Sequence, residues 1–125
     1  MSLVLKTRQS GDVSILDISG RITLGEGAST LRNAVRAMAG EGHKKLLLNL
    51  GDVSYIDSSG LGVLVSAFAT FANLGGHLKL VHVMSRVKDL LLITKLYAVF
   101  EIFDDEGTAL RSFVKSPQEE SAAHH

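Results

Sequence analysis

The sequence predicts a single α/β domain: a mixed β-sheet flanked by about four helices, in the order ββαβαβαβα. Three observations carry this. The run Leu46-Leu47-Leu48-Asn49-Leu50 is almost unbroken in apolar character, too short for a helix, and suited to a central strand buried on both faces. Segments with a 3.6-residue apolar period separate it from the other strand-like segments, the pattern of parallel strands joined by right-handed helical crossovers. Two strand-like runs at the start, joined by a short Gly-containing loop, add an antiparallel hairpin and make the sheet mixed.

The first of those runs alternates Leu3, Leu5 and Thr7 with Val4, Lys6 and Arg8, and Gln9-Ser10-Gly11-Asp12 supplies turn chemistry. Residues 13–19 form the second, with Val13, Ile15 and Asp17 on one face, and Gly20 ends it. Over 28–39 the period changes: Leu31, Val35 and Met38 recur along one helical face, with Arg32, Asn33 and Arg36 on the wet side and Gly40 and Gly42 as stop signals. After the central strand at 46–50, residues 57–73 read as a helix with Leu61, Leu64, Val65, Phe68, Phe71 and Ala72 on one face. This stripe predicts that Phe68, like Leu48, is buried. Gly75-Gly76 closes the helix and 77–83 alternates like a strand. Ser85 is the expected N-cap of a short helix carrying Val87, Leu90, Leu91 and Thr94. Residues 99–103 read as the last strand. Asp104-Asp105-Glu106 puts acid at the start of a final helix, where the dipole favours it, with Ala109, Leu110 and Phe113 as its apolar positions. The domain is expected to span 1–115, and the polar stretch 116–125 reads as a disordered tail.

Composition narrows the function. The 125 residues are 46% hydrophobic, enough for a core without staples, and contain no cysteine, which excludes disulfides, thiol catalysis and thiolate metal sites. Lys+Arg and Asp+Glu are both 13, so the chain lacks the positive excess that drives nucleic-acid binding. The most apolar stretch, 61–74, is interrupted by Ser66, Thr70 and Asn73 and falls short of the ~20 residues of a membrane span. No signal peptide is visible at the start. A cytoplasmic setting, with no membrane insertion, is the expectation.

Catalytic and metal chemistry find little support. His77 and His82, five apart on one expected strand, point to opposite faces and cannot share an ion; His43 stands alone, and His124-His125 close the tail. The serines of Asp57-Ser58-Ser59-Gly60-Leu61-Gly62 lack the preceding glycine of a G-x-S-x-G nucleophile turn. The pair Gly60-Leu61-Gly62 lacks the third glycine of a dinucleotide fingerprint. No catalytic residue, metal or cofactor is expected. The same segment is better read as a helix start. Asp57, Ser58 and Ser59 are all capping residues, and unpaired backbone N–H groups there, under the positive end of the dipole, receive an anion. A serine hydroxyl in that place can become phosphoserine without breaking the helix.

The segment Val53-Ser54-Tyr55-Ile56-Asp57-Ser58-Ser59-Gly60-Leu61-Gly62-Val63-Leu64 resembles the signature of the STAS domain in bacterial anti-sigma factor antagonists. The likeness extends in order through Gly20-Arg21-Ile22, the strand at 46–50, the junction at 75–81 and the short helix at 90–96, covering about 3–113. It implies a mixed sheet flanked by helices, and an interaction protein that is not an enzyme. The resemblance further implies that the unphosphorylated form binds an anti-sigma factor that is itself a serine kinase, freeing a sigma factor. Phosphorylation on the serine turn then ends the complex and a phosphoserine phosphatase resets it. The family pattern points to Ser59 as the acceptor, with Ser58 as the alternative. The partner surface implied comprises Thr23, Glu26, Asp57, Ser58, Ser59, Gly60, Leu61 and Gly62. One departure stands out: many relatives carry an acidic residue just after the second strand, where this chain has Thr23, and Glu26 is the nearest acidic substitute.

Two other readings compete. A STAS domain without a phospho-switch serves as an adaptor subunit in lipid-transport or sensory complexes, although an adaptor needs only a cap and not both serines. A small-molecule sensor using the groove near Gly60 is the weakest, because no basic residue adjoins the serines in sequence to hold a phosphate.

Overall fold

A computed structural model of the chain describes residues 3–114. The expected tail at 116–125, with its histidine pair, lies outside the described residues. The elements run β1 Val4–Ser10, β2 Val13–Ile22, α1 Glu26–Gly40, β3 Lys45–Ile56, α2 Ser58–Asn73, β4 His77–Val81, α3 Ser85–Ile93, β5 Ile102–Phe103 and α4 Glu106–Phe113. That is the predicted ββαβαβαβα order.

The sheet is ordered β1-β2-β3-β4-β5, antiparallel at β1/β2 and parallel in every later pair. The hairpin closes through Gly11-Asp12, with Gly11 at φ 59°. Glycine first in a two-residue loop gives the turn whose twist matches that of the flanking strands. β2 and β3 are buried on both faces. On one face Leu16, Ile18, Leu46 and Leu48 pack with α1, α2 and α3 through residues such as Leu31, Leu64 and Leu91. On the other, Val13, Ile15, Leu47 and Val81 are covered by Ala109 and Phe113 of α4. The two layers therefore enclose a parallel centre, as such strands require.

α4 also explains a buried cation. Lys79, in the middle of β4, is only 2% exposed. Its Nζ donates to the Ser112 carbonyl at 3.1 Å and the Ser112 hydroxyl at 3.0 Å, at the C-terminal end of α4, and lies 4.7 Å from the Phe113 ring centroid. An ammonium at a helix C-terminus faces the negative end of the dipole, and its donors are satisfied.

Several expected boundaries move. β3 runs to Ile56, beyond the apolar run, because β2 continues to pair with it through two irregularities in register. β4 ends at Val81, where His82 takes a left-handed backbone at φ 60°; His82 is outside the strand, so the opposite-faces argument for it falls. The last strand shrinks from 99–103 to Ile102–Phe103. α1 begins at Glu26, two residues before the apolar stripe. α2 begins at Ser58, with Asp57 as its cap; Met84, not Ser85, occupies the N-cap of α3 and makes no side-chain capping bond. Leu48 is fully buried as predicted, but Phe68 is only half-buried and packs edge-on against Phe100 at 5.5 Å and 77°. Phe71 is the aromatic at the centre.

Candidate functional site

The carboxyl ends of β2 and β3 lie side by side, with Ile22 paired to Ile56. Each strand then turns into a helix, and the two turns are tied together. Asp57 leaves β3 in extended conformation and places its carboxylate over the start of α2. One oxygen accepts from the Gly60 N–H at 2.8 Å and the other from the Leu24 N–H at 2.9 Å, across 33 residues of sequence. The Asp57 N–H donates to the Ile22 carbonyl at 3.3 Å, and its own carbonyl accepts the first bond of the helix, from Leu61 N–H at 2.9 Å. Asp57 thus caps α2 and fastens loop 23–27 to the serine turn.

Those bonds stabilise the ionised carboxylate. The Gly60 N–H first, and the Leu24 N–H second, hold Asp57 below the ordinary carboxylate range. A depressed folded value contributes stability that is present above the unfolded value of ~3.9 and is lost as pH falls through the folded one. Asp57→Ala is therefore expected to cost about 1–2 kcal/mol near neutral pH, the usual range for a lost N-cap. The deficit should narrow progressively in urea melts repeated below about pH 4, as the unfolded carboxylate takes up its proton first and the native one only at lower pH. An equal deficit at pH 7 and pH 2.5 would show that the charge takes no part in the cap.

The surrounding site residues fall into two groups. Ser58, Ser59 and Gly60 fill the first turn of α2, so the backbone N–H groups of the two serines have no intrahelical acceptor. Ser58 is exposed and Ser59 half-buried, and neither hydroxyl makes a hydrogen bond among the described residues. Gly60 is buried, and a Cβ there would sit 2.0 Å from the Ile22 carbonyl oxygen. Leu61 is buried beneath the turn; Gly62 is exposed on its outer side. Thr23 is half-buried, with its carbonyl accepting from Ala28 N–H at 2.9 Å, and Glu26 is exposed as the first residue of α1. The structure brings the turn and the loop together through Leu24, a residue the sequence offered no reason to single out. Leu24 itself is 79% exposed. Tyr55, near the end of β3, lies under the Arg21 guanidinium at 5.0 Å.

Elsewhere, His43 is tied into the fold by its side chain. Its Nδ1 is in hydrogen-bond contact with the buried Ser14 hydroxyl, and its Nε2 is 3.3 Å from Glu41. Among the described residues no cluster of three His, Cys, Asp or Glu side chains is placed to hold a metal ion, and no helix is long and apolar enough to cross a membrane.

Comparison with known proteins places this arrangement in a family. The STAS domain profile matches residues 5–109. The chain is 34% identical over 102 residues to the anti-sigma-B factor antagonist of Bacillus subtilis, covering 82% of this chain and 92% of that one. A candidate anti-sigma factor antagonist from Thermotoga neapolitana is 40% identical over 70 residues, covering 56% of this chain; the match spans only 62% of that relative's length. The crystal structure of a candidate anti-sigma factor antagonist from Thermotoga maritima superposes with a TM-score of 0.84 at 28% identity, covering 89% of this chain and 95% of that one. The chain belongs to the STAS domain family.

Proposed function

We propose that this chain is an anti-sigma factor antagonist that works in the cytoplasm as a non-catalytic binding partner, with the serine turn as its switch. In the unphosphorylated state it binds an anti-sigma factor that is also a serine kinase and so frees a sigma factor. The kinase phosphorylates the turn, the complex dissociates, and a phosphoserine phosphatase restores the binding form. The observation that carries this reading is the pair of serine hydroxyls at the helix start, unbonded among the described residues, beside serine N–H groups without intrahelical acceptors and tied to loop 23–27 through Asp57. The likeness to the Bacillus subtilis anti-sigma-B factor antagonist supports the class of partner.

Exposure supports Ser58 over Ser59 as the acceptor in this reading. A kinase must seat the hydroxyl in its own active site, and Ser58 is exposed where Ser59 is half-buried. Ser58 is therefore the acceptor we favour, with Ser59 second. The added charge of about −1.5 to −2 is received by the N-terminal donors and the dipole, so the fold survives. It also falls beside the Asp57 carboxylate. Repulsion between the two weakens the carboxylate's hold on the Leu24 N–H and loosens loop 23–27, so that one modification changes both halves of the surface.

The test is phosphopeptide mass spectrometry after incubation with the host's kinase-type anti-sigma factor and ATP. Phosphate on Ser58 or Ser59 is expected. Ser58→Asp should keep the native melting transition yet bind that kinase about a hundredfold more weakly, a loss of about 2.7 kcal/mol. Intact binding with neither serine modified would overturn the switch and favour the adaptor reading.

A further inference from the structure

Three of the large apolar side chains left exposed stand at the carboxyl ends of three successive parallel strands. They are Leu24 after β2, Tyr55 at the end of β3 and Met84 after β4, at 79%, 41% and 51% exposure. Only the first two adjoin the serine turn; Met84 belongs to a separate feature. The β3/β4 pairing ends at Asn49 and Val81, because the left-handed backbone of His82 turns the chain away. β3 runs on to Ile56, paired with β2 on one side. Among the described residues no strand covers its other edge at 51–56. That edge and the start of α3 enclose a groove of about 450 Å³, formed by residues 51–54 and by Met84, Ser85 and Arg86. Val53 is buried at its floor, and Met84, Ser85 and Arg86 are exposed along its wall.

We propose that this groove receives an extended segment of the same partner that engages the serine turn, added as a strand to the free edge of β3. Identification of that partner rests on the anti-sigma antagonist reading. An uncovered strand edge offers a row of backbone donors and acceptors, and a chain in extended conformation satisfies them. The segment carries an apolar side chain against Val53 and Met84. It also carries a carboxylate toward Arg86 and the first turn of α3, which has no side-chain cap. Continuity supports a single partner: Ser54, near the end of β3, and Ser58, the first residue of α2, are four residues apart, at most roughly 13 Å at ~3.3 Å per residue, so four or five residues of partner chain reach from groove to turn. The groove fixes which partner docks, and the serine turn decides when it leaves.

Amide hydrogen exchange of the full chain, free and bound to the host's kinase-type anti-sigma factor, tests this directly. Fast-exchanging amides within 51–56 should become protected in the complex. Met84→Glu and Arg86→Glu, at exposed positions and checked for native melting, should each weaken binding about tenfold, while the kinase at saturating concentration still phosphorylates the serine turn. Protection confined to 57–60, or a Met84→Glu/Arg86→Glu double variant binding within about twofold of wild type, would overturn the groove and leave the switch standing. A wild-type chain that neither binds nor is phosphorylated would overturn the proposed function, and this inference with it.

Discussion

Gly60→Ala is expected to destabilise the chain by at least about 3 kcal/mol, while Gly62→Ala, two residues along the same helix, should stabilise it by about 0.5–1 kcal/mol. The contrast follows from what an added methyl group meets. At Gly60 a Cβ would stand 2.0 Å from the Ile22 carbonyl oxygen and 2.8 Å from both Ile22 Cγ2 and Ile56 Cγ1. Ile22 is fully buried, and the Asp57 N–H donates to that same carbonyl, so the backbone cannot retreat without breaking a bond between the two turns. At Gly62 nothing lies within 4 Å, and alanine gains only its better helix propensity. Urea unfolding of the two variants reads both effects. A Gly60→Ala loss below about 1 kcal/mol would mean that α2 does not approach β2 this closely.

The glycine of the Asp-Ser-Ser-Gly turn therefore has a packing role that stands apart from phosphorylation. That distinction was not legible in the sequence, where the segment reads equally well as a cap and as a modification site. What the sequence did carry were properties of single elements. The run at 46–50 announced a doubly buried strand, the stripe at 31, 35 and 38 announced α1, and the residue types at 57–59 announced a helix start. The missing features depend on partners distant along the chain. Lys79 sits in an alternating stretch that marks it as solvent-facing, and it is buried because α4, more than twenty residues later, covers that face of the sheet. β3 outlasts its apolar run because β2 supplies pairing for 51–56. The prominence of Leu24 follows from a carboxylate 33 residues away. The fourth strand was expected to be longer for a related reason: apolar alternation continues past Val81, but the extended backbone does not, because His82 turns left-handed.

Phe71→Ala is expected to cost about 3–5 kcal/mol, the range for deleting a fully buried phenylalanine. Phe68→Ala should cost about 1.5–2.5 kcal/mol, reflecting partial burial and one edge-to-face pair. The apolar stripe of α2 places both rings on one face, and the choice between them depends on which line of that face rests on the sheet. The buried positions include Gly60, Leu64, Ala67 and Phe71. Two of these four are a glycine and an alanine, and small residues let a helix axis approach a sheet closely. A stripe read from the largest apolar side chains is therefore drawn away from the true contact line, toward Phe68 at its flank. There the Phe68 ring meets Phe100, which is itself buried, and covers the side of the core without entering its centre. Phe71, by contrast, has no exposed surface and its carbonyl receives the N–H of Gly76, so its backbone is held where the ring must stay. Removing that ring leaves a cavity that the surrounding strands cannot close. Denaturant melts of the two alanine variants should give the larger loss at Phe71. The reverse order would mean that α2 is rotated about its axis, and the serine turn at its start with it.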